Sequence, residues 1–192
     1  MSKARWKSGT MVYPAPAVLV SCGTMENPNL ITIAWTGTIC TNPAMAYISI
    51  RPERHSYDLI KDSKVFAINL TTKKMVRATD YCGVKSGRDV DKFKETGLTP
   101  IKGQLIDAPI VKESPLTIEC EVTEIIKLGS HDMFLAKVLG ITVEESLLDQ
   151  TGKFRLDQAE LIAYSHGSYY SLSEALGTFG YSIKKKPRKK HK

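Results

Sequence analysis

The stretch NLITIAWTGTICTNPAMAYISIRPERHSY, residues 29–57, decides the reading of this chain. From Ile31 to Ile39 the odd positions carry Ile31, Ile33, Trp35, Gly37 and Ile39, and the even ones Thr32, Ala34, Thr36 and Thr38. That period of two predicts a strand with one apolar face and one hydroxyl-bearing face. Thr41-Asn42-Pro43 ends it, because proline has no amide hydrogen for the ladder and asparagine favours turns. A second strand is expected over Ala44–Ile50, and Arg51-Pro52-Glu53-Arg54 breaks it in turn. Ser56 then stands at an N-cap position before a short helix from Tyr57.

Two readings of this corner stay open on pattern alone. In one, strand hydroxyls, Arg51, Arg54 and a helix start form a cradle for a phosphorylated ligand, since helix N-termini and arginine forks both suit anions. In the other, an ordinary hairpin and helix turn their polar groups to water.

Outward from there the elements are short. Proline-stiffened Tyr13-Pro14-Ala15-Pro16 leads into an apolar strand, Ala17–Ser21, and Met25–Pro28 is a turn. Val65–Leu70 is a buried strand whose Asn69 either caps the next turn or meets a ligand. Thr71 or Thr72 is placed to cap a helix through Met75, Val76 and Thr79. Tyr81–Asp89, YCGVKSGRD, reads as a loop in which Gly83 and Gly87 allow close backbone approach. Asp91–Glu95 is a helical turn closed by Gly97. The second half is all-β: a half-exposed strand from Leu116 in which Glu119 takes the polar face, a hairpin connection at Leu128–Asp132, and a return over Met133–Val143. Ala163–Tyr170 reads as a loop and Ser173–Leu176 as a terminal helix. Short strands with turns between them suggest a small barrel.

At 192 residues the chain suits one domain with a sizeable core. Its formal charge of +7 is misleading. Seven of the 27 Lys and Arg lie in KKKPRKKHK, residues 184–192, and the other 20 match 20 Asp and Glu. Residues 1–183 are therefore a near-neutral domain, and 184–192 a basic tail expected to stay disordered and solvated. A β-barrel module binding nucleic acid through that tail is the alternative function, although the aromatics are not interleaved with basic residues. No run approaches a membrane span and no signal-type apolar core follows the N-terminus, so no membrane and a cytoplasmic location are expected. Cys22, Cys40, Cys82 and Cys120 have no metal-site spacing; Cys40 and Cys120 read as buried and Cys82 as the more exposed. Rossmann GxGxxG, HExxH and GxSxG motifs are all missing from the sequence.

An ordered set of segments carries a further signal: Pro16–Val20, Asn29–Gly37, Asn42-Pro43, Arg51, Arg54–Tyr57, Phe66–Leu70, Asp91–Phe93, Glu119-Cys120 and Gly129–His131. In this order they resemble the flavin reductase-like, FMN-binding split-barrel family, specifically its flavoredoxin branch. The resemblance implies a mainly β protein with short helices (α+β), a Greek-key split β-barrel that binds FMN and transfers electrons. It implies a flavin-dependent oxidoreductase, an NAD(P)H:flavin reductase or a flavoredoxin-type electron carrier. It implies a homodimer whose electron donor is NAD(P)H or a small acidic redox protein.

Carried over by position, Asn29, Trp35, Thr36, Gly37 and Thr38 would line the flavin. Arg51, Arg54, Ser56 and Tyr57 would hold its phosphate. Asn69, Ser86, Gly87 and Lys92 would meet the ring and ribityl chain, Lys92 favouring the reduced anion, and His131 and Tyr164 would close the pocket, partly from the partner subunit. No residue is required as a covalent catalyst. Trp35 has a second reading as plain core, since it shares the parity of Ile31 and Ile33. The family's Gly-Asp-His is Gly129-Ser130-His131 here, so no acid is in place to orient the histidine.

Overall fold

In the computed structural model, which describes residues 1–184, the period-two run of the decisive stretch is two strands rather than one. The strands are β1 (Ala15–Pro16), β2 (Val18–Gly23), β3 (Pro28–Ile33), β4 (Thr36–Thr41), β5 (Ala44–Ile50), β6 (Val65–Asn69), β7 (Pro100–Lys102), β8 (Pro109–Val111), β9 (Leu116–Lys127), β10 (Asp132–Val143), β11 (Ile162–Ser165) and β12 (Ser168–Ser171). Three helices, α1 (His55–Ser63), α2 (Val76–Val84) and α3 (Lys92–Thr96), punctuate them. The main sheet has seven strands in the order β3-β2-β6-β9-β10-β5-β4, all pairs antiparallel. Its two edge strands, β3 and β4, are consecutive in sequence, so the sheet must curl for Ala34-Trp35 to join them. Ser49 donates its backbone N–H to the Trp35 carbonyl at 2.9 Å across that joint. The sheet thus wraps round one core: Val18, Val20, Ile31, Ile33, Ile48, Phe66, Cys120 and Phe134 meet inside it.

Helix α1 plugs the barrel with Tyr57 and Ile60, both buried. Its N-cap is Arg54, which offers no side-chain cap, so the helix starts two residues before the expected Ser56 cap. Ser56 lies inside the first turn, where its hydroxyl is buried and bonded elsewhere. Outside the barrel, α2 and α3 cover β2 and β3 through Leu19, Leu30, Cys82 and Phe93. Helix α2 extends to Val84, so the first four residues of the expected Tyr81–Asp89 loop are helical. As a result Cys82 is buried and Cys40, on the edge strand β4, is half-buried, the reverse of the sequence expectation. Burial pushes the Cys22 and Cys82 thiols up to about 11 and the Cys120 thiol up to about 12. The helical turn closed by left-handed Gly97 is as expected, and Asp91, expected inside the turn, is its N-cap, accepting from Lys94 N at 3.1 Å.

A small three-stranded sheet, β1-β11-β12, replaces the loop expected at Ala163–Tyr170. His166 and Gly167 both take positive φ (48° and 90°), the geometry a two-residue hairpin needs. Ser173–Leu176 is not helical; two glycines follow closely, and the chain makes only a 3₁₀ turn at Tyr181–Ile183. The basic tail lies outside the described residues but for Lys184. Among the described residues no helix is long and apolar enough to cross a membrane.

Candidate functional site

The joint between β3 and β4 leaves side chains that no strand neighbour covers. Trp35 is 39% exposed, which removes its reading as plain core. Its indole ring lies 4.4 Å from the His131 ring at 50°, so the β9–β10 hairpin tip closes over the joint. Ile31–Trp35, Ser49–Arg51, Arg54 and His131 line a cavity of about 180 Å³ here. Thr32, Ala34 and Trp35 also line an aromatic recess of about 320 Å³ formed with Tyr13, Tyr164, Tyr169, Asp80 and Val84. Arg51 and Arg54 also line an arginine-rich recess of about 620 Å³ with Glu53, Ser86, Arg88 and Asp89. Through these shared walls the three recesses adjoin as a groove, aromatic on one side and arginine-rich on the other.

Backbone ties position the cations. Arg54 Nη2 donates to the Gly83 carbonyl at 3.2 Å and Arg88 Nη1 to the Glu53 carbonyl at 3.0 Å, locking the loop after α2 against the start of α1. Arg51 pairs with Glu53 at 3.2 Å on the surface, a contact worth little by itself. Gly87 makes the fit possible, because a Cβ there would stand 2.1 Å from Asn29 Oδ1 and 3.0 Å from His55 Cδ2. Both histidines register the field. Partial burial, then Arg88 and Lys92, lower the pKa of His55; partial burial and then Arg51 lower that of His131.

The groove gathers Trp35, Arg51, Arg54, Ser86, His131 and Tyr164 from the expected set. Thr36 borders it beneath the N-terminal segment, but its buried hydroxyl donates to the Tyr47 carbonyl at 2.6 Å. Thr32, on the expected hydroxyl face, likewise spends its hydroxyl on the Thr79 carbonyl. The hairpin is therefore not lined by free hydroxyls. Gly37 and Thr38 continue along the β4 edge and do not line the groove. Asn29 and Gly87 line a separate cavity of about 360 Å³ behind the loop, with His55 and Arg88.

Four expected contacts are internal to the chain. The buried Ser56 hydroxyl accepts from Asn29 Nδ2 at 2.7 Å. Tyr57 is buried edge-on to Phe134, and its hydroxyl donates to Asp132 Oδ2 at 2.6 Å. That bond, with burial, pushes the Tyr57 pKa up to about 12 and fixes the residue next to His131. Asn69 is wholly buried: its amide nitrogen donates to Leu19 O and Ser21 Oγ, and its oxygen accepts from Val111 N and Thr117 Oγ1, all at 2.9 Å. Lys92 is 4% exposed, with Nζ donating to the Leu30 carbonyl at 2.7 Å and the Cys82 carbonyl at 2.8 Å. It braces β3 against α2, and burial lowers its pKa.

Sequence reading missed Arg88, although it directly follows Gly87 in the loop singled out for close approach. It also gave His131 no orienting partner, yet Ser130 Oγ lies 3.0 Å from His131 Nδ1. Glu119, placed on an exposed face, is fully buried and accepts from Leu105 N at 2.7 Å and Ile106 N at 3.2 Å.

A curled seven-stranded antiparallel sheet with an aromatic-to-arginine groove at its seam defines the class, a split barrel. The chain belongs to the family described as flavin reductase like domain, which matches residues 10–173. Its fold superposes on the flavoredoxin of Desulfovibrio vulgaris (Miyazaki F) with a TM-score of 0.88 at 30% identity, covering 95% of this chain and 100% of that one. The flavoredoxin from Methanosarcina acetivorans gives 0.85 at 25% identity, covering 96% and 100%. An uncharacterized protein of Aeropyrum pernix is 30% identical over 70% of this chain, which spans 52% of that relative's length.

Proposed function

We propose that this protein is an FMN-dependent oxidoreductase of the flavoredoxin and flavin reductase kind. The observation that carries the reading is the groove itself, with an aromatic wall at one end and three arginines at the other. The residues fit the group: a planar ring suits Trp35 and Tyr164, and a single phosphate suits Arg51, Arg54, Arg88 and the Ser86 hydroxyl. Each charge-assisted bond to the phosphate would contribute about 1.5–3 kcal/mol. Family membership and the likeness to two flavoredoxins support the same reading.

When bound, flavin supplies the one- and two-electron chemistry that these side chains lack. The chain's own part is placement. The Tyr57–Asp132 bond holds the hairpin so that His131 stays against Trp35. Trp35 and Tyr164 would cover the ring and exclude water from it, adding about 0.5–1.5 kcal/mol beyond area burial. Arg51, Arg54 and Arg88 would hold the phosphate.

The electron donor is NAD(P)H stacking on the flavin, or a small acidic redox protein docking at the arginine-rich mouth. The protein works in the cytoplasm as a homodimer. The nucleic-acid alternative rests on the tail, and no feature of the described barrel favours it. Anaerobic mixing of flavin-loaded protein with NADH and with NADPH tests the assignment. Rapid bleaching with either marks a reductase; bleaching only with a reduced electron-transfer protein marks a carrier. No bleaching with any donor contradicts both.

A further inference from the structure

Behind the loop that follows α2 lies the separate cavity of about 360 Å³. Asn29 is its one buried lining residue, 6% exposed. Both bonds of that side chain leave from its nitrogen, Nδ2 donating to Ser56 Oγ at 2.7 Å and to Cys22 Sγ at 3.5 Å. Its Oδ1 accepts no hydrogen bond among the described residues. Among those residues no sealed side-chain polar atom lacks a partner, so this oxygen is open to the cavity. A buried acceptor without a donor costs stability, and a ligand that donates to it removes the cost.

Gly87 keeps the space beside Oδ1 clear, because a Cβ there would stand 2.1 Å from it. The same Cβ would stand 3.0 Å from Cδ2 of His55, so ring and amide oxygen border one space. The His55 ring is half-buried, and its lowered pKa keeps it neutral near neutral pH. A flat, neutral ring of this kind stacks on a nucleobase.

The rest of the lining is acidic. Glu26, Asp89 and Asp91 line the cavity, and with His55 neutral Arg88 is the one cation beside them. A carboxylate accepts from a ribose 2′-hydroxyl and repels a phosphate at the same place. Arg88 and Asp89 are also walls of the arginine-rich recess, so the cavity continues the groove. From Trp35 past Arg51 and Arg54 to Arg88 and Asn29, the walls run aromatic, cationic, then acceptor-rich. That is the order of ring, phosphates and adenosine in a nicotinamide dinucleotide.

We propose that this cavity is the adenosine subsite of the electron donor, and that it selects NADH against NADPH. Asn29 Oδ1 accepts from the adenine amine, His55 stacks on the base, and the carboxylates take the free ribose 2′-hydroxyl and repel a 2′-phosphate. The assignment to a hydride donor rests on the functional reading above; affinity for an adenosine phosphate does not.

The test is calorimetric titration of the full chain, FMN-loaded and flavin-free, with ADP-ribose and with 2′-phospho-ADP-ribose. Neither probe carries a nicotinamide, so binding is read without turnover. The loaded chain is expected to bind one ADP-ribose at least tenfold more tightly than the 2′-phosphate form. Val90→Trp, which fills the cavity from its half-buried wall, is expected to weaken ADP-ribose at least tenfold and leave FMN affinity unchanged. The exposed pair Glu26→Gln/Asp89→Asn is expected to shrink the preference against the 2′-phosphate at least threefold. No binding of either probe, equal affinities in wild type, or full ADP-ribose affinity in Val90→Trp overturns the proposal. So does ADP-ribose that binds only the flavin-free chain while FAD binds more tightly than FMN, which would assign the cavity to a flavin dinucleotide. Selective ADP-ribose binding by a chain that takes up no FMN leaves the adenosine subsite standing and removes the flavin reading.

Discussion

Polar residues gather in two regions of this molecule, buried in one and mostly exposed in the other, and they are used in opposite ways. Outside the barrel, Asn69, Lys92 and Glu119 are each satisfied by groups of the same chain. At the seam between β3 and β4, Arg51, Arg54, Arg88, His131 and the indole of Trp35 surround open space. The first region converts polarity into stability, since a buried group stripped of its partner costs about 1–3 kcal/mol. The second ties each arginine by one bond to the chain and leaves its remaining donors available for a ligand. Residue type does not separate the two; the source of the hydrogen-bond partner does.

The contrast breaks most visibly at Lys92. Lys92→Met strands two carbonyls, those of Leu30 and Cys82, and should lower stability by about 2–6 kcal/mol at about 1–3 kcal/mol per unpaired group. Thermal melts of the flavin-free protein measure it. A normal melting temperature with a displaced flavin potential would instead place the ammonium at the ring. Asn69→Ala should destabilise by a similar amount while leaving FMN affinity unchanged in the protein that remains folded.

Arg54→Ala belongs to the open region and should behave the other way. Losing one charge-assisted bond of about 1.5–3 kcal/mol weakens FMN about 10- to 100-fold. Riboflavin, which lacks the phosphate, should be almost unaffected, and the melting temperature should barely move. Equal losses for both ligands would remove the phosphate assignment. Gly87→Ala sits between the regions. Its Cβ would collide with Asn29 Oδ1, so the loop must shift, costing about 1–3 kcal/mol of stability and loosening Arg88 with it.

The smallest effect is on pH. His55 and His131 have folded pKa values below the ordinary 6.5, so the folded state holds fewer protons than the unfolded state in that window. Their contribution is whole above pH 6.5 and declines as pH falls through that value toward the folded pKa. His131→Gln should flatten the loss of stability seen in denaturant titrations between neutral and mildly acid pH. An unaltered slope would show that neither burial nor the neighbouring arginines lower the His131 pKa.

What the sequence made legible follows from the range of the forces involved. Strand alternation, the short turn after Asp91 and its Gly97 closure are set by neighbours along the chain, and they were readable. The break at Ala34-Trp35 was not, because alternation continues in phase across it; the barrel's closure, a long-range constraint, splits the run. Ser56 and Tyr57 carry groove-like chemistry in the right order, yet the first turn of α1 points them inward to Asn29 and Asp132. Arg88 was hidden for the opposite reason: its loop looked like backbone scaffolding, and only the fold brings it beside Arg51 and Arg54.

The most direct measurement is a pair of titrations of the flavin-free protein, FMN against riboflavin, followed by quenching of flavin fluorescence. The three-arginine end predicts one FMN per chain, bound at least tenfold more tightly than riboflavin, with the preference shrinking as salt is raised. Equal affinities for the two, or no quenching with either, would contradict it.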